Sequence, residues 1–381
     1  MDIKTPPGPQ AAGGESERKI FQRDPNPHIF RPIAFRSVMS RNRIMVSPMC
    51  QYSATDGVPN DWHFQHLACR AVGGAGIVFT EVVHVEPRGR ITPNCLGLWN
   101  DEQRDAFARI TRFIKAQGAV AGIQIGHAGR KGSTAPPWEG GKPLASENGG
   151  WQTVAPSPIP FNEGYPVPME MDAAAIARTV EMFAANARRA REAGFDIIEV
   201  HAAHGYLIHE FLSPLSNRRS DRYGGSFENR IRFLLEAVDA VRSEWPEEKP
   251  LFVRISSTDW IEGGWDLESS VKLAQILKDG GKVDLMDCSS GGLSPQQKIP
   301  AHPGYQVPFA AAIRARAGIP TGAIGLISSP EMAESIIANG QADIIIMARA
   351  FLNDPYWPLH AAKVLKAKIP WPRQYERGDI F

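Results

Sequence analysis

The chain has 381 residues, with 42 Lys and Arg and 41 Asp and Glu side chains. This nearly neutral balance creates no strong field for nucleic acid or an anionic membrane surface, so neither is an expected partner. Hydrophobic residues make up 43% of the chain but occur in short runs, none near the roughly 20 apolar residues of a membrane helix. We therefore predict a soluble protein.

Residues 1–26 are predicted to form a disordered or extended tail. Residues 1–18 are polar and rich in Gly and Pro, and they lack the apolar core of a signal peptide and the Arg-rich pattern of a transit peptide. A cytoplasmic location is the corresponding expectation. The four cysteines are widely separated and form no Cys-x-x-Cys pair, which argues against a disulfide scaffold and a zinc cluster.

Beyond residue 42, short apolar runs alternate with longer amphipathic segments, a pattern typical of βα units around a parallel sheet. The predicted strands are residues 44–47, 76–80, 120–125, 195–200, 251–255, 283–287, 321–325 and 343–347. The predicted helices are residues 63–72, 101–116, 172–194, 226–245, 268–278, 308–317, 330–338 and 357–365. Eight such units favour an α/β fold, a single-domain (β/α)8 TIM barrel over residues 27–365, rather than an open doubly wound sheet.

A long excursion follows the third predicted strand. Residues 129–167 are rich in Gly, Pro and Trp and are too many for an ordinary connection. Loops of this length usually have a function, so a binding loop or lid is predicted here.

Polar side chains collect where the predicted strands end, and in such a barrel these ends face one pocket. The fourth strand leads into His201, His204 and Tyr206. The histidine pair alone is also compatible with satisfied core histidines or a metal pair, although no third ligand follows at suitable spacing. Arg254, inside the fifth strand, would be costly to bury unless it faces an anion or a strong acceptor. Arg349, after the eighth strand, suits a phosphate or a surface ion pair.

Several motifs resemble the Old Yellow Enzyme family, and more closely its thermophilic-like ene-reductase class. They are Ser-Pro-Met-Cys at residues 47–50, Gly-Arg-Ile-Thr at 89–92, Ile-Gln-Ile-Gly-His-Ala-Gly-Arg-Lys at 123–131, the segment 201–216, Arg-Tyr-Gly-Gly-Ser-Phe-Glu-Asn-Arg at 222–230 and Gln-Tyr-Glu-Arg-Gly at 374–378. The resemblance extends from about residue 27 to the end. It implies a barrel that binds FMN non-covalently and an NADPH dehydrogenase, or ene-reductase, that reduces activated alkenes such as unsaturated carbonyl or nitro compounds. No metal is expected.

The resemblance also implies roles for individual residues. His201 and His204 would donate hydrogen bonds to the substrate oxygen, and Tyr206 would protonate the α-carbon. Tyr52 would line the substrate side. The FMN-binding residues would be Ser47, Pro48, Met49, Cys50, Val82, Gln124, Arg254, Gly325, Ala348 and Arg349.

The C-terminal residues 366–381 are expected to reach a neighbouring protomer. By resemblance, Arg377 would enter the partner's active site, which implies a homodimer or a higher homo-oligomer. Two residues depart from the family pattern: Val82 stands where relatives commonly have Ala, and Ala348 where they often have Gly. The first raises a question about the placement of the flavin ring, and the second about space for the phosphate.

Two other functions are open to a barrel of this kind. A flavin-free aldolase or hydrolase would normally use a Lys or a carboxylate at the strand ends, whereas the candidates here are His, Tyr, Gln, Arg and Cys. A catalytically silent barrel would not be expected to keep Tyr206 together with both histidines.

Overall fold

A computed structural model describes residues 26–379 of the chain. The predicted N-terminal tail lies outside the described residues except for Asn26. Within residues 26–379, no helix is both long enough and apolar enough to cross a membrane.

Eight parallel strands close into a barrel, which confirms the predicted fold class. Around the barrel they follow the order β3, β4, β5, β8, β9, β10, β11 and β12, and β12 pairs again with β3. The strands of the described residues are β1 Ile33–Phe35, β2 Val38–Ser40, β3 Ile44–Val46, β4 Ile77–His84, β5 Val120–Gly126, β6 Val154–Ala155, β7 Met169–Glu170, β8 Ile197–Ala202, β9 Leu251–Ser256, β10 Leu285–Ser289, β11 Thr321–Ala323 and β12 Ile344–Met347.

Helices flank the barrel, and their buried faces pack against the outward side of the strands. The α-helices of the described residues are α1 Asp61–Val72, α2 Asp101–Ala116, α3 Ala173–Glu192, α4 Leu207–Leu212, α5 Phe227–Arg230, α6 Arg232–Glu244, α7 Leu267–Asp279, α8 Val307–Ala317, α9 Pro330–Ala338, α10 Arg349–Asn353 and α11 Trp357–Val364. The predicted helix over residues 226–245 is two helices instead. The interruption is small, because the single intervening residue, Ile231, keeps helical backbone angles.

Several strands extend further than the apolar pattern predicts. β4 continues to His84, β8 to Ala202 and β10 to Ser289, so His201 lies within its strand and not after it. The reason is that the inside of the barrel becomes polar toward the carboxyl ends of the strands, where apolar periodicity no longer marks a strand.

Three neighbouring strands, β8, β9 and β10, show this change from apolar to polar side chains inside the barrel. Ile197, Phe252 and Leu285 belong to the apolar cluster inside the barrel. Alternate residues of a strand share a face, so the residues two and four positions further along each strand also face inward. The first of these is charged and the second is polar. The charged residues are Glu199, Arg254 and Asp287, and the polar ones are His201, Ser256 and Ser289.

The hairpin of β1 and β2 covers the opposite, amino-terminal end of the barrel. Phe35 packs edge-on against Phe252, with ring centroids 5.0 Å apart, and belongs to the same interior cluster. The hairpin thereby shields the apolar floor from water, while the polar end remains available for binding.

The predicted excursion lies between β5 and α3 and packs over the carboxyl end of the barrel. Arg90 stacks between two tryptophans, 5.5 Å from the ring centroid of Trp99 and 5.4 Å from that of Trp151. Trp138, also in the excursion, meets Tyr52 edge-on at 5.8 Å. The excursion therefore contributes to the rim around a predicted substrate-side residue.

Candidate active site

Two histidines face each other at the carboxyl end of β8. His201 Nε2 and His204 Nδ1 are 3.3 Å apart. The backbone N–H of Ala203 donates to His201 Nδ1 at 3.2 Å, so the hydrogen of a neutral His201 ring is on Nε2. His204 Nε2 lies 2.7 Å from the hydroxyl oxygen of Ser289. A hydroxyl can donate or accept, so Ser289 is compatible with either tautomer of His204.

Both imidazoles are neutral. Burial, followed by the nearby positive charge of Arg254, lowers the pKa of each histidine well below its ordinary value. When Ser289 donates to His204 Nε2, the hydrogen of His204 is on Nδ1, beside the Nε2–H of His201. The pair can then direct two N–H groups at one acceptor oxygen.

The turn after β8 holds His204 in a left-handed conformation, with φ of 60°, and Gly205 follows with φ of 73°. A Cβ on Gly205 would lie 2.2 Å from the carbonyl oxygen of Gly292, so the close approach of these two loops requires glycine. Lys131 ties the same loops together, because its Nζ donates to the carbonyl oxygens of His204 at 2.8 Å and Gly292 at 2.9 Å.

Tyr206 lies beside the histidine pair. Its ring centroid is 5.0 Å from that of His201 and 5.2 Å from Lys131 Nζ. Burial is the main cause that raises the pKa of Tyr206 well above its ordinary value, so the phenol keeps its proton at neutral pH. Burial also lowers the pKa of Lys131 to about 8, which leaves the amine mainly protonated at neutral pH and able to stabilise a phenolate.

A buried polar layer lies between the histidines and the apolar floor of the barrel. Gln124 Nε2 donates to Glu199 Oε1 at 2.7 Å. Arg254 Nη1 donates to Ser47 Oγ at 3.1 Å, and Arg254 Nε lies 3.2 Å from Asp287 Oδ2. All five side chains are buried. The sequence indicated that a buried Arg254 needs an anion or a strong acceptor, and Asp287 is one such partner.

The side of the pocket near β4 is formed by Val82, with Cys50, Tyr52 and Tyr206 packed against the same small cluster. Burial, followed by the charge of Glu81, raises the pKa of the Cys50 thiol well above its ordinary value. Cys50 is therefore a neutral thiol at neutral pH, not a reactive thiolate.

The structure also shows how the extra bulk of Val82 is accommodated. Gly126 on the adjacent strand has no side chain, and a Cβ there would lie 3.0 Å from Val82 Cγ2 and 3.1 Å from His201 Cβ. The valine methyl thus uses space that the glycine leaves, without displacing the histidine.

A cavity of about 400 Å³ lies where β10, β11 and β12 end, and its lining includes Gln306, Gly325, Ala348 and Arg349. Ser289 also lines it and contacts His204, so the cavity lies next to the histidine pair. Arg349 is exposed and forms no ion pair with any other described residue, which leaves its charge available to an anion.

These residues fit the cofactor that the resemblance implies. Arg349 and the backbone around Gly325 suit a phosphate, because Gly325 has φ of 121° and only Gln306 closely approaches its missing side chain, at 3.1 Å. Further inside the barrel, the Arg254 guanidinium is a hydrogen-bond donor suited to an electron-rich ring edge, and the Gln124 amide oxygen can accept from a ring N–H. The methyl group of Ala348 lines the cavity without closing it.

Arg377 lies away from this pocket within a single chain. It lies in the exposed 3-10 helix Arg373–Gly378, which packs near α11 through a ring contact between Tyr375 and Tyr356 at 6.2 Å. Within residues 26–379, Arg377 forms no hydrogen bond or ion pair. The predicted contact with a neighbouring protomer stays a prediction.

Sequence reasoning missed four polar residues of the pocket: Glu199, Asp287, Ser289 and Lys131. Glu199 and Asp287 were detectable in principle, because they alternate with apolar residues on predicted strands, whereas Ser289 lies beyond the strand predicted over residues 283–287. Lys131 is part of a motif used for the resemblance, but only the folded loops reveal its contacts. Among the described residues, no three His, Cys, Asp or Glu side chains are grouped as metal ligands.

Comparisons with known proteins place the site in a family context. The family model described as "NADH:flavin oxidoreductase / NADH oxidase family" matches residues 28–368. The chain is 49% identical over 358 residues to the NADPH dehydrogenase of Geobacillus thermodenitrificans, covering 93% of this chain and 100% of that protein.

Two solved structures share the fold across nearly the whole chain. Morphinone reductase superimposes with a TM-score of 0.75 at 26% identity, covering 91% of this chain and 92% of that one. An Old Yellow Enzyme homologue from Zymomonas mobilis superimposes with a TM-score of 0.73 at 28% identity, covering 91% and 94%.

Proposed function

The chain belongs to the NADH:flavin oxidoreductase / NADH oxidase family, and from that premise we propose that it reduces the carbon–carbon double bond of alkenes conjugated to a carbonyl or nitro group. It is an oxidoreductase of the Old Yellow Enzyme type that uses FMN, with NADPH as the reductant. The observation that carries the substrate proposal is the pair of facing imidazole nitrogens 3.3 Å apart, with Tyr206 beside them.

His201 and His204 hold the carbonyl or nitro oxygen of the substrate. In the free pair His201 Nε2–H donates to His204 Nδ1, and the ring hydrogen of His204 is then on Nε2, facing Ser289. When substrate binds, Ser289 donates to Nε2 and the His204 hydrogen is on Nδ1, so the substrate oxygen accepts from both rings. Two donors on one oxygen withdraw electron density from the conjugated β-carbon and stabilise the charge that develops on the oxygen. FMN, when bound, supplies that carbon with the two electrons and the hydrogen taken from NADPH.

Tyr206 donates its phenolic proton to the α-carbon. Its raised pKa keeps the proton in place until substrate arrives. The Lys131 amine, 5.2 Å from the ring centroid, stabilises the phenolate left after the transfer. Tyr52, whose ring meets Trp138 at the rim, lines the substrate side.

A second group of residues binds FMN. Gln124 and Arg254 face the pyrimidine edge, and Gly325, Ala348 and Arg349 hold the phosphate in the adjoining cavity. The residues along the ring are Ser47, Pro48, Met49, Cys50 and Val82. The support is the burial of Ser47, Val82, Gln124 and Arg254, and the cavity that Gly325, Ala348 and Arg349 line. Arg349 forms no ion pair with any other described residue, so its charge is available to a phosphate.

The visible spectrum of the purified protein under anaerobic conditions tests this function directly. We expect a flavin band that bleaches when NADPH is added and returns when cyclohexenone follows. Bleaching without return would contradict the alkene substrate while leaving the cofactor assignment intact. A colourless protein that takes up no added FMN would contradict the assignment to this family's chemistry.

Arg377 completes the pocket of a neighbouring protomer in a homodimer or a higher homo-oligomer. We expect Arg377→Ala to raise the KM for alkene about tenfold, equivalent to about 1.4 kcal/mol of binding free energy, whereas Arg373→Ala in the same exposed helix leaves it unchanged. Mixing Arg377→Ala with Tyr206→Phe should restore sites of normal KM, because the first chain keeps Tyr206 and receives Arg377 from the second. Mixed oligomers without restored sites would show that Arg377 does not act across the interface.

A further inference from the structure

The polar layer beneath the histidines contains more acidic than basic groups. Arg254 contributes one positive charge, and Glu199 and Asp287 contribute two carboxyl groups, all of them buried. If both carboxyls were ionised, the layer would carry a net negative charge inside the barrel, away from the protein surface. Such a charge is strongly unfavourable. One of the two carboxyls therefore carries a proton.

The contacts identify which carboxyl that is. Asp287 lies 3.2 Å from Arg254 Nε, so its negative charge is paired. Glu199 forms no ion pair with any described residue: its Oε1 accepts from the uncharged Gln124 amide, and its Oε2 has no hydrogen-bond partner there. The two Asp287 oxygens also lack a hydrogen-bond partner, but the guanidinium beside them compensates their charge. Burial, and next the charge of Asp287, raise the pKa of Glu199, while Arg254 lowers it by less.

The groups that face Glu199 come from each neighbouring part of the barrel. Gln124 on β5 is uncharged, Arg254 on β9 is positive and Asp287 on β10 is negative. His201, two residues further along β8, is neutral at neutral pH. With Glu199 protonated the net charge of this set is zero, and with Glu199 ionised it is minus one.

We propose that Glu199 is a positioning residue for FMN: as a neutral acid it orients the Gln124 amide and keeps the negative charge of the layer from opposing reduction of the cofactor. The inference rests on the proposed placement of the FMN pyrimidine edge at Gln124 and Arg254. Because Gln124 Nε2 is held by Glu199, the amide oxygen is left to accept from the cofactor. Reduced FMN carries a negative charge, which an ionised Glu199 would repel.

The proton balance follows from this repulsion. Below the pKa of Glu199, reduction adds two electrons and one proton to FMN, both supplied as the hydride of NADPH, and the carboxyl is unchanged. Above it, the same reduction is accompanied by one solvent proton, which forms the O–H bond of Glu199. The midpoint potential of the bound FMN should therefore fall more steeply with pH in that range.

The test is the midpoint potential of the FMN-loaded protein as a function of pH, in the wild type and in Glu199→Gln. Glutamine copies the neutral acid and still accepts from Gln124. We expect the two curves to coincide at acidic pH. Above the raised pKa of Glu199 the wild-type potential should fall by an additional 30 mV or so per pH unit, since tenfold in a two-electron equilibrium is about 30 mV. Glu199→Gln should lack this extra slope.

Two other outcomes would overturn the proposal. Identical curves at every pH would mean that Glu199 does not influence FMN, and parallel curves would mean that it is ionised throughout. Glu210→Gln is the matched control, because burial also raises the pKa of Glu210 to about 8 but its carboxylate accepts from the backbone of Arg130, outside the polar layer. This variant should keep the wild-type slope.

Two further measurements separate the inference from its premise. If Gln124→Met leaves FMN affinity unchanged, the cofactor does not contact this layer, and the proposed placement fails rather than the role of Glu199. If Glu199→Gln does not fold, infrared difference spectra of the wild type on reduction still decide. A protonated carboxylic acid band that shifts on reduction and in D2O supports the proposal, and its absence contradicts it.

Discussion

Replacing Tyr206 with phenylalanine is expected to slow alkene reduction by about 10²- to 10⁴-fold, the usual contribution of a positioned general acid. The phenol is the proton donor of the proposed reaction, and phenylalanine keeps its ring against His201 while removing the proton. Reduction of the bound FMN by NADPH requires no proton at this position, so its rate should change little. Stopped-flow absorbance of the two half-reactions, measured separately, checks both expectations.

A tyrosine outside the pocket supplies the control for this substitution. Tyr223→Phe also removes one hydroxyl, which donates to Glu236 at 3.0 Å on the outer side of the barrel, and both half-reactions should keep their rates. If Tyr206→Phe reoxidises with cyclohexenone at the wild-type rate, the proton comes from another group or from water, and the role assigned to Tyr206 is wrong.

Removing either histidine of the pair is expected to slow alkene reduction by about 10²- to 10³-fold, the typical loss of one donor at a developing oxyanion. Each ring provides one of two N–H groups directed at the same oxygen, so His201→Ala and His204→Ala should have similar effects. His204→Asn should recover part of the rate, because its side-chain amide also donates. Single-turnover oxidation of the reduced protein by cyclohexenone measures these rates.

His360→Ala is the matched histidine control. His360 lies on α11, is exposed and pairs with Asp354, outside the pocket, so its removal should leave the rate unchanged. If His204→Ala and His204→Asn both retained FMN and were equally slow, His204 would not contribute to the rate by donating a hydrogen bond. The ring would then act by shape or packing.

The electrostatic surroundings explain why neutral side chains suffice for this chemistry. A charged imidazole would be costly beside Arg254, and the pKa of each histidine is accordingly lowered. The positive charges near the reacting groups are instead carried by Arg254 and Lys131, which hydrogen bonds hold in place. Charges held in advance need no reorganisation during the reaction.

Most helices and strands of the barrel were predictable, because the sequence features that mark them lie within the element or at its ends. Residues 101–116 and 330–338 were predicted as helices with the bounds that the structure has, since polar capping residues and apolar periodicity mark both ends. The carboxyl ends of β8 and β10 were each predicted two residues too early, because the inward-facing polar residues His201 and Ser289 follow the apolar runs. Beyond the last apolar residue of a strand, alternation no longer shows whether a polar residue is buried or exposed.

The sequence by itself determined the eight βα units, the histidines and tyrosine after the fourth strand, and the motifs that indicate the family. These features depend only on the order and spacing of residues along the chain, which are the same in the unfolded and the folded protein. Only the tertiary structure decided that Ser289 contacts His204, that Lys131 lies against Tyr206, and that Glu199 and Asp287 both lie near the Arg254 guanidinium. Those relations join residues far apart in sequence, and burial, which sets their charges, exists only once the barrel has closed.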